Sequence, residues 1–207
     1  MTEPTSRADS VEKVIPDVWT WSLHDNRIDF VSTSFAFTTG DGTILIDPLP
    51  LEPDVLANLG TVHAIVLTSG THQRSSWRYR RELDAPVWIP ALVETNEEEP
   101  DGRYSEGDDL PGRLKPVFTP GAGTTQHTLL LERDGGVAFT PDLFVIPPGG
   151  SLTLTPAQYV HDPEEQRRTA EKLLDLDFRI LCTGHGGAVT EDAKGAIRAA
   201  LDQPQRS

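Results

Sequence analysis

"LTSGTHQRSS", Leu67 to Ser76, decides how this chain is read. The stretch leaves the apolar run Ala64-Ile-Val-Leu67 and leads into Gln73 to Leu83, which has the length and composition of a helix. A buried strand that passes through a polar loop into a helix sets that loop at a sheet edge, the usual place for binding and catalytic side chains. Around a single His72 the loop carries Ser69, Thr71, Gln73 and Arg74.

Upstream, Val14 to Leu23 and Phe30 to Thr38 are rich in β-branched and aromatic residues, and Gly40-Asp-Gly42 precedes Thr43-Ile-Leu-Ile-Asp47. This predicts an antiparallel hairpin entering the core. Pro48 and Pro50 end that strand, and Pro53 to Leu59 suits a short helix. Downstream, Pro86 to Pro90 is a short strand, and the acidic, Gly/Pro-rich stretch from Glu94 to Gly112 reads as a surface loop. Strands resume at Lys115 to Thr119, Gln126 to Glu132 and Val137 to Thr140, the last two joined by Asp134-Gly-Gly136. Asp162-Pro-Glu-Glu165 is a helix start with an N-cap and a proline in the first turn, followed by a buried stripe at Ala170, Leu173 and Leu174. After a strand at Phe178 to Cys182, a last helix from about Glu191 to Asp202 buries Ala193, Ile197, Ala200 and Leu201.

Two halves, each strand-rich and then helical, predict two sheets packed face to face with helices outside, an αββα sandwich of the α/β class. The expected organisation is one domain over residues 11–202, with disordered ends at 1–10 and 203–207.

Composition narrows the function. The 207 residues carry a net charge of −14, with 32 acidic against 18 basic side chains and no Lys/Arg run. Nucleic-acid binding and attraction to anionic membranes are thereby disfavoured. The start lacks a basic segment followed by an apolar one, and no long apolar run follows, so a soluble cytoplasmic protein is expected. A single cysteine, Cys182, excludes an internal disulfide and a cysteine-based zinc cluster, and its apolar neighbours make it a core residue.

Four loop segments follow strands: Ser69 to Ser76, Thr119 to Thr124, Thr140-Pro-Asp142 and Thr183-Gly-His-Gly186. In that order, with Thr43-Ile-Leu-Ile-Asp47 before them, the chain from about Val14 to Ala200 resembles the metallo-β-lactamase superfamily. The resemblance implies a four-layer fold with two adjacent metal sites. Their ligands come from a first loop of pattern His-x-His-x-Asp-His, a histidine after the next turn, an aspartate and a final histidine. Such imidazoles and carboxylates hold two divalent ions whose shared water becomes a nucleophile near neutral pH.

Laid on this chain, the pattern puts Ser69, Thr71, Gln73 and Arg74 at the first-loop positions and Ala122 at the histidine after Thr119-Pro-Gly121. Only Asp142 and His185 remain, so the dinuclear centre is expected to be absent and the metal site degenerate. A guanidinium cannot ligate a cation but can replace one, and Arg74 is expected to pair with Asp142 in the vacated volume. Asp47 is expected to hydrogen-bond the first-loop backbone. His185 is the best candidate for a cleft histidine. His72 lies between two former ligand positions and reads as loop packing or, with a small shift of register, as a cleft residue. His127 opens a strand and reads as a sheet-face residue, and His24, His63 and His161 read as surface groups.

Three functional readings follow. The first is a pseudoenzyme without cofactor whose cleft of Arg74, Asp142, His185, His72 and Asp47 binds a small anionic metabolite. The second is a hydrolase with a single zinc or other divalent ion held by Asp142, His185, His72 and His127, or with a metal-free acid–base pair of Asp142 and His185. In the third, Trp77, Tyr79 and Trp88 fill the cleft. Residues 143–156 read either as a lid or as an ordinary connection.

Overall fold

The computed structural model describes residues 3–25, 30–95 and 98–204. One sheet contains, in chain order, β1 (Glu12–Ile15), β2 (Val18–Asp25), β3 (Phe30–Thr39), β4 (Gly42–Ile46), β5 (Val62–Val66), β6 (Val87–Pro90) and β7 (Gly102–Tyr104). Its first four strands are antiparallel, and β4 to β7 run parallel. The second half supplies β8 (Lys115–Phe118), β9 (His127–Leu131), β10 (Val137–Thr140), β11 (Phe144–Val145), β12 (Thr153–Leu154), β13 (Ile180–Thr183) and β14 (Gly187–Val189). Five of these form a second sheet in the order β14-β13-β10-β9-β8, while β11 and β12 pair separately. The helices are α1 (Pro53–Asn58), α2 (Ser76–Leu83), α3 (Pro163–Leu173) and α4 (Ala193–Asp202).

Side-chain alternation builds the layers. Along β4 and β5, Ile44, Ile46, Ala64 and Val66 point between the sheets, where they meet Leu129, Val137, Phe139, Ile180 and Cys182. Leu45, Ile65 and Leu67 point the other way, onto Leu56, Trp77 and Tyr79. On the second sheet, Ala138 and Leu181 face α3 and α4 through Ala170, Leu173, Ile197 and Ala200. Central strands buried on both faces read as continuous apolar runs, as they do here. The result is the expected αββα sandwich. Asp162 caps α3 by accepting from the Glu165 amide at 2.9 Å, ahead of Pro163 in the first turn.

Four expectations change. The run from Val14 to Leu23 divides at Pro16-Asp17, where Asp17 adopts a φ of 62° and turns the chain, so β1 pairs antiparallel with β2. The acidic stretch before Gly112 contains β7, whose Tyr104 is buried and donates to the Leu67 carbonyl at 2.5 Å. Three residues are too few to show a period, which is why composition hid that strand. Residues 3–10 do not fray: the Ala8 amide donates to the Pro50 carbonyl, the Glu52 amide donates to Ala8, and Glu3 pairs with Arg78. Residues 1–2 and 205–207 lie outside the described part. The 143–156 segment is anchored by Leu143, Phe144, Leu152 and Leu154 under α3 and α4, and only its Pro148 to Ser151 tip is exposed. Among the described residues no helix is long and apolar enough to cross a membrane.

Candidate metal centre

The strand ends deliver four groups to one edge of the sandwich. β4 leads to Asp47, β5 leads into the loop holding His72, β10 leads to Asp142, and β13 leads to His185. Asp47, at a φ of 47°, accepts from the Thr68 amide at 2.8 Å and from the Thr68 hydroxyl. This is the loop-holding role expected of it. Its other contact is with His72, whose Nδ1 lies 2.9 Å from Asp47 Oδ2.

His72 closes a short 3-10 turn, Gly70–His72, and is buried. Its Nε2 lies 3.1 Å from Asp142 Oδ1, and His185 Nε2 lies 3.0 Å from the same oxygen. His185 Nδ1 donates to the Val31 carbonyl at 3.0 Å. The two rings meet edge to face with centroids 5.7 Å apart. One ligand atom from each of His72, Asp142 and His185 falls within 4.8 Å of the others. The histidine between two former ligand positions is thus drawn into the cleft.

Gly184 makes room for this packing, since a Cβ there would sit 2.9 Å from His72 Cε1 and 3.0 Å from the Pro141 carbonyl oxygen. The loop is also sewn to the other sheet. The Thr33 amide donates to the Gly184 carbonyl at 2.8 Å, and the Gly186 amide donates to the Thr33 hydroxyl at 3.1 Å.

Arg74 does not form the expected ion pair with Asp142. Its guanidinium donates to the carbonyls of Thr33 at 2.7 Å, Asp47 at 3.0 Å and Gly184 at 3.4 Å, and to the Ser34 hydroxyl at 3.3 Å. Those acceptors lie within β3, just after β4 and just after β13, so Arg74 pins the two sheets together beneath the site. The planar fork suits several carbonyls at once, and its φ of 42° aims it inward. With 6% of its surface exposed, it offers no guanidinium to a bound anion.

The other first-loop positions are similarly occupied. Gln73 donates to the Gly70 carbonyl and accepts from the Trp77 indole. The Ser69 and Thr71 hydroxyls pair with each other at 2.9 Å, and Thr71 reaches Asp142 Oδ2 at 3.4 Å. Trp77 and Tyr79 pack on the outer face of the first sheet and Trp88 packs beside Gly102, so none of them plugs the cleft.

His127 does not join the cluster, contrary to the four-ligand set. Its Nδ1 meets the Thr125 carbonyl at 3.1 Å, and its ring lies between Tyr104 and Phe118, with centroids 5.3 and 5.2 Å away. Burial lowers its pKa. His63 and His161 are exposed, as expected, and so is His24. Cys182 is fully buried, which pushes its thiol up far beyond physiological pH.

The site concentrates negative charge. Burial and the nearby Arg74 charge oppose a proton on His72, but Asp142 and Asp47 outweigh both and its pKa is pushed up to about 9. Burial works against the Asp142 charge as well, yet His72 and His185 hold its carboxyl well below the usual carboxylate range. Burial also lowers Arg74, against the fields of Asp47, Asp142 and Asp25. Three carboxylates act on one guanidinium, and a proton on His72 adds a second positive charge among them.

A family model described as metallo-beta-lactamase superfamily matches residues 10–200. The chain belongs to that superfamily. The fold has the same company among solved structures. A metallo-beta-lactamase from Pontibacter korlensis superposes with a TM-score of 0.74 at 15% identity, covering 94% of this chain and 99% of that one. One from Erythrobacter litoralis gives 0.69 at 16%, covering 93% and 90%. An archaeal superfamily protein from Sulfolobus tokodaii gives 0.68 at 15%, covering 89% and 85%. No curated protein matches the chain. Identities this low establish the shared fold and leave the chemistry to the residues of the site.

Those residues fit a metal ion. Each histidine spends its Nδ1 on an outward acceptor, Asp47 for His72 and Val31 for His185. A neutral ring so anchored presents a bare Nε2, and both Nε2 atoms face one carboxylate oxygen. Inward-facing Nε2 atoms with oriented Nδ1–H groups are the outer-shell arrangement of metal-binding histidines.

Proposed function

We propose that this superfamily member is a mononuclear metal hydrolase, with one divalent ion, zinc foremost, held by His72, Asp142 and His185. The observation that carries the reading is the convergence of two Nε2 atoms on Asp142 Oδ1 while both Nδ1 atoms are tied outward. Three protein ligands with a coordination position left over is the donor count of a catalytic zinc site, where a structural site closes all four. The ion would supply Lewis-acid chemistry and a water acidified toward neutral pH.

The chain's own groups have distinct tasks. Asp47 orients His72 and raises its basicity, and the Val31 carbonyl does the same for His185. Thr71, on the exposed side of Asp142, steadies the second carboxylate oxygen. Arg74 supplies a fixed positive charge beneath the carboxylates and holds the strand ends in register.

One observation favours a second reading, a metal-free binding module. A proton on His72 bridges Asp47 and Asp142 and balances two carboxylates and a guanidinium. It leaves His185 Nε2 facing the same oxygen without a proton to share, unless two imidazolium rings stand edge to face beside Arg74. A single ion satisfies all three contacts at once.

Elemental analysis of protein purified without chelator, followed by zinc titration calorimetry, decides between the readings. The expected result is one zinc per chain, lost in Asp142→Ala, with ester or thioester hydrolysis that tracks zinc occupancy. Absence of both bound zinc and zinc heat sinks the hydrolase reading and leaves the metal-free module.

A further inference from the structure

A pocket of about 230 Å³ opens where β6, β7 and β8 end and β9 begins. None of His72, Asp142 and His185 lines it. Its floor is fastened to the strand that leads into their loop: the His127 amide donates to the Thr68 carbonyl at 2.9 Å, and the Tyr104 hydroxyl donates to the Leu67 carbonyl at 2.5 Å. Three large apolar side chains are exposed among the described residues, and two of them, Leu92 and Phe118, line this pocket. Their convergence on one concave place marks it as a binding site more than scattered exposure would.

Hydrogen bonding selects the occupant, because donors around the pocket are spent and acceptors are left over. The Ala91 amide donates to the Tyr104 carbonyl at 2.7 Å, the Ser105 amide to the Asp108 carboxylate at 2.7 Å, and the Phe118 amide to Glu106 Oε1 at 3.3 Å. Arg103 gives its guanidinium to the Ala91 and Val93 carbonyls and to Glu99. His127 Nδ1 faces the Thr125 carbonyl, so it carries the ring proton and Nε2 is a bare acceptor. Burial disfavours a second proton on that ring. Nε2 has no protein partner among the described residues and is not sealed from solvent, so it is open to the pocket that His127 lines. The exposed Glu106 carboxylate, whose charge reaches the His127 ring, and the hydroxyls of Ser105 and Thr125 stand around it. A lone pair, a carboxylate and two hydroxyl oxygens beside an apolar wall suit a ligand that donates, carries positive charge and has a short hydrocarbon body.

We propose that this pocket binds a small primary alkylammonium, its NH3+ group donating to His127 Nε2 and the Glu106 carboxylate while its hydrocarbon body lies against Leu92 and Phe118. At roughly 30 Å³ for each water-sized group, the volume accommodates about seven non-hydrogen atoms, the size of an amine of about five or six carbons. The site is independent of the hydrolase reading above, since neither His127 nor Glu106 belongs to the metal centre.

Calorimetry with pentylammonium, pentanol and pentyltrimethylammonium, on chelator-treated and on zinc-loaded protein at about pH 8, tests the assignment; there an alkylammonium is charged, as a lysine is, and His127 is neutral. One pentylammonium per chain is expected, with the same affinity in both forms. Pentanol keeps the chain without the charge and should bind at least about tenfold more weakly, the contribution of a hydrogen bond to a charged group. Pentyltrimethylammonium keeps the charge without an N–H donor and should also bind more weakly. His127→Phe retains an aromatic ring without the acceptor and should cost about tenfold. Glu106→Lys, at an exposed position that leaves the fold intact, should abolish binding. No pentylammonium binding in wild type, pentanol binding as well as pentylammonium, or a wild-type isotherm in Glu106→Lys overturns the ammonium site. Binding confined to the zinc-loaded form would put the amine on the metal and overturn it too.

Discussion

His72 and His127 both touch Thr68, and their surroundings are opposite. His72 Nδ1 lies 3.5 Å from the Thr68 hydroxyl, and the His127 amide donates to the Thr68 carbonyl at 2.9 Å. Both rings are buried, and both have Nδ1 facing an oxygen acceptor. The difference lies beyond Nε2. For His72 that side holds Asp142 and His185, whereas the His127 ring is flanked by Tyr104 and Phe118. An anchored Nδ1 therefore does not suffice for a ligand. What makes one is an anion and a second nitrogen converging on the other face, and the fold provides that at one of two neighbouring positions.

Zinc binding by the glutamine variants is the strongest way to break this comparison. His72→Gln should weaken zinc by more than about a hundredfold, because a lost ligand costs more than a lost outer-shell partner. His127→Gln should leave the zinc isotherm unchanged. Equal losses in the two variants would mean that both histidines reach the ion and that the contrast drawn here is false.

Stability against pH sharpens the same contrast in zinc-free protein. The folded-state pKa of His72 is raised from 6.5 to about 9, so the native state binds the extra proton between those values. Its contribution, about 3 kcal/mol, is fully present below pH 6.5 and is lost as pH rises through about 9. His127 is shifted the other way, so the unfolded chain binds its proton first and stability is lost as pH falls below about 6.5. Urea unfolding in chelator from pH 5.5 to 10 should thus show the alkaline loss removed by His72→Gln and the acid-side loss reduced by His127→Gln. An unchanged alkaline limb in His72→Gln would contradict the protonated bridge between Asp47 and Asp142.

Much of this architecture was legible because central strands announce themselves. The apolar runs at 43–47, 64–67, 137–140 and 178–182 became two-faced strands. Asp142 and His185 were legible from the segments that carry them. The partner of Asp142 was not. Charge complementarity alone suggested Arg74, but a guanidinium surrounded by carbonyls of β3 and of the residues that follow β4 and β13 had a better set of acceptors than one carboxylate. His72 was hidden by counting ligand positions along the loop. The 3-10 turn at Gly70–His72 puts this intervening residue inward and leaves Gln73 to Trp77. The one signal available was that His72 is the single histidine of the Leu67 to Ser76 stretch.

The outer shell gives a smaller effect. In Asp47→Asn the amide oxygen can still accept from the Thr68 backbone, but an NH2 group then faces His72 Nδ1. Two donors cannot share that contact, so the ring is driven toward the tautomer whose Nε2 carries the proton, which cannot ligate. Zinc affinity should fall about ten- to a hundredfold, the usual range for an outer-shell partner, with one zinc per chain still reached at saturation. Unchanged affinity would show that Asp47 serves only the Thr68 loop.

The smallest predicted effect comes from two glycines, one on each side of the comparison, neither of which needs a left-handed backbone. A Cβ on Gly184 meets the His72 ring at 2.9 Å and the Pro141 carbonyl at 3.0 Å, and the carbonyl cannot move without shifting Asp142 next to it. A Cβ on Gly123, before His127, meets the end of the Gln126 side chain at 3.3 Å, a contact that a flexible amide relieves. Gly184→Ala should therefore displace His72 slightly and weaken zinc by less than about tenfold, short of a lost outer-shell hydrogen bond. Gly123→Ala should leave zinc binding as it is. If Gly184→Ala binds zinc like the wild type, the ring position set by this packing is not what holds His72 against Asp142, and the Asp47 hydrogen bond alone must do it.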